Sequence, residues 1–200
     1  MSKTVLYASE NFARQDFETD MEKSQIEASN LTKFGIKKNT VVANHQVLTL
    51  ETETGRRSTS SYTLETGALP HKDLKDVMKR AACHLAILTE YEKLKRTQNI
   101  SFLNNAKDIP VDFEKYTATS ISISGHDSES YGVVISGQRK LENGGVTNLN
   151  SVLVKLEQES YLYVSELNVL MDDLYDEVML FLAGKQGTPS QTEMKFEEAA

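Results

Sequence analysis

The residues with the clearest capacity for chemistry are four carboxylates in one short run, Asp172, Asp173, Asp176 and Glu177. On a helix Asp172 and Asp176 share a face, where two oxygens could serve a magnesium ion. A second acidic run on a facing helix, needed to complete such a site, is missing. The simpler expectation is a solvated acidic face, or one docked on a basic helix. Cys83 and His84 are adjacent, and helical neighbours point about 100° apart, which makes a poor zinc clip. The remaining histidines, His45, His71 and His126, are scattered, so no metal site is expected. His126, Asp127 and Ser128 have the residue types of a hydrolase triad, but consecutive residues in a turn cannot take its geometry. Gly132, Gly137, Gly144 and Gly145 lack the order of a phosphate loop leading into a helix. With no catalytic or cofactor signature, the chain is read as non-enzymatic, acting by binding.

The Asp172 to Asp176 spacing resembles the aspartate-rich motif of prenyl-chain enzymes. That resemblance covers five residues and belongs to large all-helical folds, which the pattern of this chain does not match. Cys83, the single cysteine, cannot form an internal disulfide and is expected to be a small structural side chain.

The candidates for binding are basic and aromatic. Lys72, Lys75, Lys79, Arg80, Lys93, Lys95 and Arg96 crowd one segment, while Arg56, Arg57, Arg139 and Lys140 sit at predicted strand ends. Tyr62, Tyr116 and Tyr131 lie in or beside strands. Stacking platforms with basic rims hold single-stranded nucleic acid, at about 1–3 kcal/mol per stacked base. The plainer account is that tyrosine packs well on half-exposed sheets. A net charge of -7 and a pI near 5.2 argue against a general positive field for duplex DNA. The nucleic-acid-binding candidates are therefore Arg56, Arg57, Tyr62, Lys72, Lys75, Lys79, Tyr131, Arg139 and Lys140, in an accessory protein of replication or recombination from a bacterium or its virus. The alternative is a protein-interaction or homo-oligomeric assembly subunit, its acidic helix meeting the basic helix of a neighbour.

Residues 184–200 are polar and expected to form a disordered acidic tail. Glu193, Phe196, Glu197 and Glu198 follow a Gly/Thr/Pro/Ser linker. The layout is similar to the acidic C-terminal tails of bacterial and phage single-stranded DNA-binding proteins, with Lys195 as a departure. That resemblance implies protein partners bound through Phe196, Glu197 and Glu198.

These residues must be positioned by strands and helices. Residues 1–39 show no clean period and predict only a short strand near Thr4 to Ala8. Val41 to Glu53 and Ser60 to Thr66 read as strands around a turn. Leu74, Val77, Met78, Ala81, Leu85 and Leu88 recur at steps of three and four, predicting a helix over 72–88 with Lys93, Lys95 and Arg96 near its dipole-favoured end. After a connector over 97–116, Thr117 to Ser124 alternates. Gly132 to Leu141 and Val146 to Leu156 flank a turn whose Asn143-Gly144 step accepts positive φ. Tyr163, Leu167, Leu170, Leu174, Val178 and Phe181 form the stripe of a second helix, stopped by Gly184.

The expected fold is α+β: antiparallel sheet with two long amphipathic helices, and two ββ(β)α units, 41–96 and 117–183, sharing one core within a single domain over 1–183. A chain of this length buries roughly 70% of its unfolded surface, enough for a core without staples. No apolar run reaches membrane-spanning length and no signal peptide is recognisable, so the expectation is a cytoplasmic protein without a membrane role.

Overall fold

The structure is a computed structural model that describes residues 4–6, 24–37, 40–51, 56–94, 99–125, 131–158 and 161–187. Its elements run β1 (Thr4–Leu6), β2 (Ser24–Lys37), β3 (Thr40–Glu51), β4 (Arg57–Thr66) and α1 (Lys72–Leu88). Three 3₁₀ turns follow (Ser101–Leu103, Ala106–Asp108, Val111–Phe113), then β5 (Tyr116–Ser124), β6 (Gly132–Lys140), β7 (Val146–Asn150), β8 (Val154–Lys155) and α2 (Val164–Leu182). The eight strands among the described residues join one sheet in the order β1-β4-β3-β2-β5-β6-β7, with β8 also paired to β6. Among the described residues β1 pairs with β4 in parallel and the other ladders are antiparallel. The fold is α+β, as the two apolar periods require.

The strand order is mirror-like about the central β2/β5 pair. On one side lie β2, β3 and β4, followed in the chain by α1; on the other lie β5, β6 and β7, followed, after β8, by α2. Each unit thus has at least three strands, and the first reaches back into the stretch expected to be weakly ordered. There, β2 is a 14-residue strand. Its period is hidden by register shifts between Ile26 and Ala28 and between Leu31 and Lys33. Each bulge inserts one residue and moves later side chains to the other face. Leu31 and Phe34, three apart, are consequently both fully buried.

The strand expected over 146–156 is broken into β7 and β8. Ser151 interrupts it: its Oγ accepts the Ile135 N–H at 2.9 Å, and its own N–H donates to the Ile135 carbonyl at 2.9 Å. At the β6–β7 turn Gly144 takes φ +80°, the conformation anticipated for the Asn-Gly step.

α1 starts at His71, whose Nδ1 accepts the Asp73 N–H at 3.3 Å. From Val77 to Ala86 only Lys79 is exposed. A single apolar stripe predicts one buried face; here one side of α1 meets β5 and β6 and another meets α2, so Cys83 and His84 are also enclosed. Close approach to β6 depends on Gly137, where a Cβ would strike the Thr117 carbonyl and lie 2.6 Å from Leu85 Cδ2. Burial pushes the Cys83 thiol up to about 12, which keeps it protonated and unreactive. α1 ends at Leu88 with no basic residue in its last turn, so Lys93 lies beyond the reach of its dipole; Lys95 and Arg96 fall outside the described residues. α2 keeps the expected stripe, burying Leu167, Leu170, Leu174, Val178 and Phe181 together with Met171, and packs chiefly on α1. In the connector, Phe102, Leu103 and Phe113 are buried in the same core as both units. Among the described residues no helix is long and apolar enough to cross a membrane.

Candidate functional site

β2 and β5 pair only through Lys33–Gly35 and Ser120–Ser122. Past this ladder, Ile36 and the first residues of β5 line a cleft of about 870 Å³. α1 contributes Lys75, Met78, Lys79 and Ala82, the 3₁₀ segment contributes Ala106, Lys107, Ile109, Phe113 and Glu114, and the strands contribute Tyr116 to Thr119 and Gln138. Met78, Ala82, Phe113 and Ala118 are buried and make an apolar floor. Three ammonium groups and one carboxylate stand on the rim.

The lysines are placed by simple local rules. Lys72, Lys75 and Lys79 are three and four residues apart and share one flank of α1, Lys72 just outside the cleft lining. Lys107 is held by a stapled turn: Asn105 Oδ1 accepts the Lys107 N–H at 3.1 Å, Asn105 Nδ2 donates to Asp108 Oδ2 at 3.1 Å, and Ser101 Oγ donates to the same oxygen at 3.2 Å. Phe102 and Phe113, with ring centres 5.0 Å apart, anchor the turns beneath. Lys79 pairs with Asp76 at 2.8 Å, whereas Lys75 and Lys107 have no ion pair among the described residues. The cleft lining thus carries three lysines, Lys79 among them already paired with Asp76, against the carboxylate of Glu114, on a chain of net charge -7.

Of the other sequence candidates, Tyr116 lines this cleft, whereas Arg56, Arg57, Tyr62, Tyr131, Arg139 and Lys140 do not. Arg56 and Arg57 are exposed at the start of β4, and Tyr62 is half-buried on that strand, opposite His45 of β3 and Thr4 of β1. Arg139 is half-buried, its guanidinium 4.7 Å from the Tyr91 ring centre and 5.9 Å from that of Tyr116. Tyr116 is buried in the cleft wall as deeply as Phe113, and its hydroxyl donates to Glu92 at 3.0 Å. Burial first, then Glu92, push that phenol up to about 12. Lys140 is exposed at the end of β6. Tyr131 belongs to the α2 side, where burial and then the Asp172 carboxylate raise its phenol. Phe196, Glu197 and Glu198 lie outside the described residues. Sequence reasoning brought Lys72, Lys75 and Lys79 together and missed Lys107, whose signal was the Asn105/Asp108 turn.

The acidic run divides. Asp173 accepts from Arg80 at 2.6 Å, and Arg80 also donates to the Asn104 carbonyl at 3.3 Å. Glu177 and Asp73 accept from Lys185 at 2.9 and 2.7 Å. His71, Asp73 and Glu177 place ligand atoms within 4.8 Å of one another, but the Lys185 ammonium already bonds both carboxylates. Lys185, assigned by composition to the tail, is therefore part of the α1–α2 contact, and Gln186 bridges back to Pro70. Asp172 and Asp176 face outward. Between the helices, the fully buried His84 shares a 2.9 Å hydrogen bond between its Nδ1 and the Tyr161 hydroxyl. Its Nε2 has no hydrogen-bond partner among the described residues, and burial followed by repulsion from Arg80 lowers its pKa to about 3.

No family model, curated protein or solved structure matches this chain.

Proposed function

We propose that the protein binds single-stranded nucleic acid through the lysine-rimmed cleft, without catalysis, as an accessory of replication or recombination in the cytoplasm of a bacterium or its virus. The observation that carries this reading is the convergence of Lys75, Lys79 and Lys107 on an apolar floor in a chain whose net charge is -7. Backbone phosphates sit against the ammonium groups, and unstacked bases leave water against the half-buried Ile36 and Ile109 that line the cleft above its buried floor. An apolar floor accepts any base, so affinity depends little on sequence. A duplex keeps its bases stacked inside and cannot use the floor.

The test is fluorescence anisotropy of a labelled oligothymidine between about 50 and 200 mM salt, where each neutralised phosphate of a single strand contributes about -0.7 to the slope of log K against log salt. Three contacts predict a slope of about -2. The double variant Lys75→Glu with Lys107→Glu should lose most of the binding and flatten the slope. No binding at the lowest salt, or binding unchanged in that variant, would overturn the reading.

A further inference from the structure

The outward face of α2 does not look like the solvent face of an isolated surface helix. Val169 is 44% exposed, Met179 43% and Leu180 45%. Val169, Asp172, Asp176 and Leu180 follow one another at steps of three and four, which lines them along a single stripe. The stripe is apolar at both ends and acidic in the middle. α2 contains no lysine, arginine or histidine, so pairing this stripe with its own copy would set carboxylate against carboxylate. A partner must instead offer cations around an apolar surface.

The cleft has that composition. It lies on the flank of α1 carrying Lys75 and Lys79, while α2 packs on the flank carrying Arg80, with its own stripe turned away from α1. Stripe and cleft therefore cannot meet within one chain. We propose that the outer face of α2 of one copy docks into the lysine-rimmed cleft of the next, Asp172 and Asp176 against Lys75 and Lys107, Val169 and Leu180 on the floor. This contact is heterologous: a docked pair keeps one open cleft and one open helix, and association proceeds to a ring or an open chain. The complementarity of charge selects a second copy over an unrelated apolar partner.

The experiment is light scattering coupled to size exclusion over a range of concentrations, without nucleic acid, so that its outcome is independent of the nucleic-acid reading. Wild type should exceed monomer mass as concentration rises. Lys75→Glu/Lys107→Glu and Asp172→Lys/Asp176→Lys should each be monomeric, with far-UV circular dichroism unchanged because all four positions are exposed. Mixed in equal amounts, the two variants present each reversed surface with its complement on the other, which restores both contacts, so the mixture should again exceed monomer mass as concentration rises. A wild type monomeric at every concentration, charge variants that assemble like wild type, or a mixture that stays monomeric would each overturn the proposal.

Discussion

α1 and α2 close equivalent units of the chain, yet one is an interior element and the other a covering one. α1 is enclosed on nearly every side by β5, β6 and α2, with Lys79 the only exposed position between Val77 and Ala86. α2 buries one stripe and leaves Val169, Met179 and Leu180 in solvent. Helices with similar apolar spacing thus differ in role because their neighbours differ. Exposure of the polar flank of α1 survives chiefly where the cleft opens, so the interior helix contributes lysines to the candidate binding site while the outer helix offers the candidate docking face.

The sharpest way to break this comparison is to truncate one leucine on each helix. Leu85→Ala in α1, at a site with no exposure, should cost about 2–5 kcal/mol. Leu180→Ala on the outer face of α2 should stay within about 0.5 kcal/mol of wild type. Urea denaturation measures both, and similar losses would mean that α2 is as enclosed as α1.

Adjacent carboxylates provide the next contrast. Asp173 neutralises the buried Arg80, whereas Asp172 points outward. Asp173→Asn should cost about 1.5–3 kcal/mol, towards the lower end because the Asp173 side chain is 46% exposed and already partly screened. Asp172→Asn should change stability by less than about 0.5 kcal/mol. Equal effects would show that the ion pair does not hold the helices together.

A smaller loss than at Leu85 or Asp173 is expected at the hydrogen bond between His84 and Tyr161. Tyr161→Phe should cost about 1 kcal/mol at pH 7. Its pH dependence is more diagnostic. Because folding lowers the His84 pKa from 6.5 to about 3, the neutral ring is the form the folded state favours. The associated stability is fully present above pH 6.5 and declines as pH falls towards 3. Urea midpoints from neutral to acidic pH should therefore drop in wild type and drop less in His84→Gln; parallel profiles would remove His84 from the acid response.

Much of the fold was legible from local pattern. The steps of three and four from Leu74 to Leu88 match α1, and those from Leu167 to Phe181 match α2. Asn143-Gly144 marks its hairpin because glycine meets no steric cost at positive φ. β2 escaped because two bulges shift its phase, and the break at Ser151 depends on a hydrogen bond to Ile135, sixteen residues away. The cleft was less legible still. Lys75 and Lys79 could be grouped by helical spacing, but Lys107, Ile36 and Thr117 join them only through packing between distant segments. Arg139 is a basic candidate at a strand end in the sequence, yet the fold sets its guanidinium over the Tyr91 and Tyr116 rings.

The sequence by itself determined which stretches become helix or hairpin and that the chain is α+β, because helical periodicity and turn conformation are properties of neighbouring residues. Only the tertiary structure decided which helix is enclosed, which carboxylates are neutralised and where Lys75, Lys79 and Lys107 gather. Burial and pairing depend on residues far apart in the chain that meet when the β2/β5 junction forms.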